Sequence, residues 1–177
     1  HGLAYEECGK VVVVLDDGEL GRLGAIHERA LANGVPGVRM VGRDELRELE
    51  PHVRGIAALH SPHTAVVDFG EVTRRLAADA AAHGAEIRTG VPVRRITQDA
   101  GAVAVEADGE RLAFDQLVIC GGLHTDRLAR LAGHEGDPRV VPFRGEYYEL
   151  APDRRGLVNG LVYPVPDPRY PFLGVHL

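Results

Sequence analysis

The hydrophobic positions along this chain change period several times, and each change marks a boundary between elements. Residues 9–15 (Gly-Lys-Val-Val-Val-Val-Leu) form a continuous β-branched run, which predicts a strand buried on both faces. Asp16-Asp17-Gly18 turns it. From Glu19, the positions Leu20, Leu23, Ile26 or His27, Ala30 and Leu31 recur at helical spacing, and Asn33-Gly34 closes that helix. Residues 38–41 predict a short strand, and 43–49 a charged helix that stops where Pro51 restricts Glu50. A strand over 55–60 leads into a loop at Ser61-Pro62-His63-Thr64. Asp68, with Glu71 three residues later, has the pattern of a capping box. The helix behind it carries Val72, Leu76, Ala80 and Ala81, and ends at His83-Gly84; residues 86–88 read as the next strand.

An antiparallel meander follows. Its arms are residues 91–97, 103–107 and 111–114, with Asp108-Gly109 as a hairpin signal. Residues 116–120 then form an apolar run that ends in Gly121-Gly122, with a helical pattern starting at once behind. That is a buried strand feeding a helix through a turn whose glycines admit positive φ and a close backbone approach. After Asp137-Pro138 the pattern is all β, with strands expected at 140–143, 146–150, 157–164 and 172–177. A helix, a meander and a return strand thus sit between two β-rich segments. The fold class is mixed α/β (α+β), with a discontinuous two-domain layout: residues 1–66 and 137–177 in one domain, 67–136 in the other.

Composition narrows the function classes. A formal charge of −6 with no basic stripe argues against nucleic acid. The longest apolar runs are far too short to span a bilayer. Cys8 and Cys120 lie far apart and make no disulfide framework, so both read as reduced thiols of a cytoplasmic protein. His60-Ser61-Pro62-His63 lacks a third nearby ligand, and the Pro62 turn explains its spacing equally well, so no metal site is expected. The chain starts at His1 and stops inside an apolar run, which leads us to expect an internal fragment of a longer protein.

Several stretches together carry a resemblance. They are Cys8-Gly9-Lys10, Asn33-Gly34-Val35-Pro36-Gly37, Glu50-Pro51, the run from Pro62 to Asp68, Arg144-Gly145-Glu146-Tyr147-Tyr148, and the run from Asn159 through Arg169 to His176. The chain resembles the FAD-dependent oxidoreductases of the D-amino-acid oxidase superfamily, closest to its L-2-hydroxyglutarate oxidase/dehydrogenase branch. The resemblance implies part of a FAD/NAD(P)-binding domain with a three-stranded meander over 67–136, and a mixed-sheet substrate-binding domain in the two flanking segments. It also implies oxidation of a small dicarboxylate, L-2-hydroxyglutarate, to 2-oxoglutarate by hydride transfer to FAD. An amino-acid or glycine oxidase of the same superfamily, and a non-catalytic, self-associating module, are the alternatives. Family members open with a strand and a G-x-G-x-x-G turn that grips the FAD pyrophosphate, and that turn is missing here. These residues alone are therefore expected to hold one wall of the cofactor site and to stand without FAD. A sheet edge left without its neighbour would favour self-association. Oxygen and a membrane quinone both stay open as electron acceptor, the latter with peripheral attachment to the inner face of a membrane.

Carried over position by position, the resemblance places Val93 at the adenine through its backbone, where a plain strand valine is the alternative. Cys120, Gly121 and Gly122 match the turn along the dinucleotide. Arg144 falls where relatives pass a strand by the flavin ring, suited to gripping a carboxylate; pairing with an exposed acid explains it as well. A base at neutral pH is most readily a histidine, and location must decide among nine. His176 and His63 match the positions near the substrate, each with a structural role as its alternative. Tyr163 and Thr64 are expected to face substrate. Tyr148 does so only if the alternation of its strand turns Tyr147 away. Arg169 is a second candidate for a carboxylate.

Overall fold

The computed structural model describes residues 2–99, 101–137, 139–169 and 174–177. The chain divides into two compact units: His1–Asp79 with Glu149–Leu177, and Ala80–Tyr148.

The first unit is built on a four-stranded mixed sheet, in the order β3-β4-β2-β9. Its strands are β2 (Lys10–Val14), β3 (Arg39–Gly42), β4 (Ala57–Ser61) and β9 (Leu161–Pro164). β2 lies inside the sheet, antiparallel to β4 and parallel to β9, which is why its valine run is apolar on both sides. On one face Val11, Val13, Val41 and Ala58 pack against Leu46 of α2 (Arg43–Leu49). On the other, Val14 and Leu59 pack against Leu23 of α1 (Asp17–Ala32). Asp16 starts α1, its carboxylate accepting from the Gly18 N–H at 2.9 Å. The turn expected at Asp16-Asp17-Gly18 is thus the N-terminus of the helix itself.

Beside this sheet, β1 (Tyr5–Glu7) pairs antiparallel with β5 (Ala65–Val67), a ribbon the pattern did not predict because each strand has only three residues. The Asp68 carboxylate accepts from the N–H groups of Gly70 (2.7 Å) and Glu71 (3.2 Å), so it caps α3 (Phe69–Ala82) as the sequence indicates.

The second unit holds the meander as expected: β6 (Val93–Asp99), β7 (Ala102–Ala107) and β8 (Glu110–Phe114) in simple antiparallel order. Asp108 (φ 52°) and Gly109 (φ 77°) both take the left-handed backbone that a tight two-residue hairpin demands. The pairing slips between Val93 and Arg95, where β6 carries an irregularity.

Several expected strands do not form. Residues 116–120 have no regular structure, because no described strand pairs with them and Val118 stands 81% exposed. Behind the glycines a single 3-10 turn, Gly122–His124, precedes α4 (Thr125–Leu131). Residues 86–88, 140–143 and 146–150 are likewise irregular, so Tyr147 and Tyr148 do not alternate across a strand; both are more than 90% exposed. The strand expected over 157–164 shortens to β9, preceded by a 3-10 segment at Pro152–Leu157. Of the run 172–177, Phe172 and Leu173 lie outside the described residues. Leu177 exchanges two backbone hydrogen bonds with Val162, at 2.9 and 3.0 Å, and so runs beside β9.

Candidate active-site residues

The densest grouping of candidate chemistry lies along β9. Register pairs Val12 with Tyr163 and Lys10 with Leu161, so alternation puts Lys10, Val12 and Tyr163 on one face of the sheet. The Leu177–Val162 bonds bring the end of the chain alongside, and the His176 ring stacks on Tyr163 with centroids 4.5 Å apart and planes 18° from parallel. The Lys10 ammonium sits 4.1 Å from the centre of the same tyrosine ring. His176 Nδ1 is 3.0 Å from the Gly174 carbonyl oxygen. A carbonyl only accepts, so Nδ1 carries the proton, and in the neutral ring Nε2 then presents a lone pair. That is the tautomer a general base requires.

The start of β9 is held by a buried carboxylate. Glu50, 3% exposed at the end of α2, accepts from the backbone N–H groups of Asn159 (3.0 Å) and Gly160 (2.7 Å). Asn159 in turn donates from Nδ2 to the Leu49 carbonyl at 2.7 Å. Gly160 cannot carry a side chain, because a Cβ there would fall on the Cys8 carbonyl oxygen. The Glu50-Pro51 and Asn159-Gly160 stretches thus meet in one clasp, which sets the register of the strand bearing Tyr163.

His63 and Thr64 lie in the turn between β4 and β5, in the same unit. His63 Nδ1 is 2.9 Å from the Glu7 carboxylate, and Thr64 Oγ1 donates to Ser61 Oγ at 3.1 Å. The Thr64 carbonyl accepts from the Gly9 N–H at 2.9 Å, tying this turn to the start of β2. His60, on β4, pairs with Val11 on the α2 face, and its Nδ1 is buried without a hydrogen-bond partner among the described residues. Burial first, and the Arg39 charge second, lower its pKa from the ordinary 6.5, against an opposing pull from Glu45.

The remaining candidates are surface groups. Arg169 is engaged with Asp167, donating from Nε and Nη2 at 2.6–3.1 Å. That side-chain bond, with the Arg169 backbone N–H, lowers the Asp167 carboxyl to about 2. Arg144, 86% exposed, lies 3.4 Å from Glu146, the exposed-acid pairing that was its alternative reading. In the second unit Val93 is half-buried at the start of β6 and Cys120 is exposed. Gly122 takes φ 53°, and a Cβ there would meet nothing within 4 Å, whereas one on Gly121 would be closed in by Leu128 and the Thr125 backbone. An open, side-chain-free backbone of this kind fits one wall of a dinucleotide site. Among the described residues, no three His, Cys, Asp or Glu side chains group as a metal site would need. No described helix is long and apolar enough to cross a membrane.

Sequence reasoning singled out His176 and Tyr163, which the structure brings together, but not Lys10 or Glu50. A lysine at the head of a valine run was the available signal for the first. Nothing in local pattern marks Glu50, whose partners lie more than 100 residues away.

Comparison with known proteins places the chain among relatives. The chain is 38% identical over 187 residues to human mitochondrial L-2-hydroxyglutarate dehydrogenase, covering 99% of this chain and 40% of that protein. It is 45% identical to the Caenorhabditis elegans protein of the same name, covering 97% and 41% respectively. It therefore spans about two fifths of the length of these relatives. In fold it is similar to L-proline dehydrogenase from P. horikoshii, with a TM-score of 0.75 at 19% identity, over 92% of this chain and 44% of that one. The family model described as FAD dependent oxidoreductase (DAO) matches residues 1–177, and the chain belongs to that family.

Proposed function

We propose that these residues serve a FAD-dependent oxidoreductase that converts L-2-hydroxyglutarate to 2-oxoglutarate. The observation that carries the reading is the likeness, along essentially the whole chain, to proteins named L-2-hydroxyglutarate dehydrogenase. The geometry on β9 supports it. In this reading residues 1–66 and 137–177 serve the substrate, and residues 67–136 serve the cofactor.

When bound, FAD supplies the acceptor for the hydride leaving C2. Val93, Cys120, Gly121 and Gly122 would hold it through backbone, since none of them offers a charged side chain. His176 takes the proton of the C2 hydroxyl on Nε2, while its Nδ1–H stays bonded to the Gly174 carbonyl. Tyr163 fixes the imidazole plane by stacking. His63, Thr64 and Arg169, in the same unit as His176, are further candidates around the substrate, of which Arg169 must first loosen from Asp167 to meet a carboxylate.

The test is the visible absorbance of the FAD-loaded holoenzyme. L-2-Hydroxyglutarate should bleach the flavin, and glycine and other amino acids should not; bleaching by amines alone overturns the substrate reading. His176→Asn should lower kcat for L-2-hydroxyglutarate by about 10²- to 10⁴-fold, the range of a lost general base.

A further inference from the structure

We propose that Lys10 makes the site selective for diacids by holding the carboxylate remote from the reacting carbon. The inference rests on the reading of His176 as the base for a 2-hydroxy acid.

Lys10 heads β2 directly before four valines, half-buried, where a lysine would ordinarily reach out to water or pair with an acid. Among the described residues no Asp or Glu forms an ion pair with it, and its ammonium lies 4.1 Å from the centre of the Tyr163 ring. A cation over an aromatic face keeps its N–H groups free for an anion, because the ring offers charge attraction without taking up the donors.

Its position relative to His176 is what assigns the role. Tyr163 lies 4.1 Å from the Lys10 ammonium and 4.5 Å, ring centre to ring centre, from His176. The ammonium and the imidazole are therefore no more than about 9 Å apart. In an extended five-carbon 2-hydroxy diacid, bonds of ~1.5 Å separate the hydroxyl oxygen from the remote carboxylate by about 5 Å. A hydrogen bond of about 2.8 Å at each end bridges the rest. A five-carbon diacid is thus long enough to give its hydroxyl proton to His176 and its far carboxylate to Lys10. A monoacid of the same length leaves the Lys10 ammonium facing apolar carbon, which costs binding.

The experiment compares glutarate with pentanoate, a diacid and its monoacid counterpart, as ligands of the FAD-loaded holoenzyme, with dissociation constants from calorimetry. The wild type should bind glutarate at least about tenfold more tightly than pentanoate, as one hydrogen bond to a charged group implies. Lys10→Met keeps the aliphatic stem. It should weaken glutarate about 10- to 100-fold while pentanoate stays within about twofold. Lys10→Arg should return glutarate to within about fivefold of wild type. Equal weakening of both ligands by Lys10→Met, or no change in glutarate, overturns the proposal; so does a wild type that binds both alike. Should Lys10→Met fail to fold, Lys10→Gln is read by the same criteria. A holoenzyme that leaves L-2-hydroxyglutarate unoxidised would sink the functional reading, whereas the ratio of glutarate to pentanoate binding decides Lys10 separately.

Discussion

Two apolar runs of similar appearance meet opposite fates in this chain. Residues 11–14 become the inner strand of a mixed sheet, with Val11, Val13 and Val14 at most 5% exposed. Residues 117–119 form no strand, and Val118 is left 81% exposed. The runs differ little in sequence. What separates them is supply of partners, since β2 has β4 on one edge and β9 on the other, with a helix over each face. A strand propensity is realised only when neighbouring strands and a covering layer are present to take up its hydrogen bonds and its side chains. The candidate chemistry divides the same way. In the first unit, side chains such as Glu50, Tyr163 and His176 have named partners. In the second, the candidates are mostly backbone.

The hardest test of this contrast is Gly160→Ala. The added Cβ would collide with the Cys8 carbonyl, a backbone atom that cannot swing aside without moving β2. The expected cost is more than about 3 kcal/mol, the range of severe overpacking. Hydrogen exchange should show protection lost from β2, β4 and β9, while amides of the meander exchange as before. Equal loss of protection in the meander would mean that the two units do not differ in how their strands are held.

Next in size is a pair of truncations. Leu23 is fully buried between α1 and the sheet, so Leu23→Ala should cost about 2–5 kcal/mol. Val118→Ala, in a run that packs on little, should stay within about 0.5 kcal/mol. Urea denaturation followed by far-ultraviolet circular dichroism measures both. A large loss from Val118→Ala would mean that residues 117–119 are packed after all, and the contrast would narrow.

These outcomes bear on what was legible from residues alone. Elements set by local rules were found close to their observed bounds: α1 behind Asp16, α3 behind Asp68, and the meander turning at Asp108-Gly109. Elements that need a distant partner were not. The strands expected at 116–120 and 140–150 lack described neighbours, and the β1–β5 ribbon is too short for a period to show. The site follows the same logic. The family resemblance assigned roles to His176 and Tyr163, whereas Lys10 and Glu50, in stretches that also carry it, acquire a role only when β2, α2 and β9 are brought together. Sequence pattern reports on neighbours a few residues apart, and both of these contacts span more than 100.

The smallest expected effect tests burial within the first unit. His60 has a buried Nδ1 with no partner, and desolvation, helped by Arg39, favours its neutral form in the folded state. A histidine whose folded pKa lies below its unfolded 6.5 leaves stability intact above that value. As pH falls below it, the unfolded chain binds a proton that the folded chain resists, and stability is lost until the lowered folded pKa is passed. Wild type should therefore lose more stability than His60→Gln between about pH 7.5 and about pH 5. For a half-buried ring beside solvent, the difference should stay below about 1 kcal/mol. Urea midpoints for the two proteins across that range give the answer. The opposite sign, with wild type gaining on His60→Gln as pH falls, would mean that Glu45 outweighs burial and Arg39 together. The α2 face of the sheet would then be an acidic environment rather than a dry one.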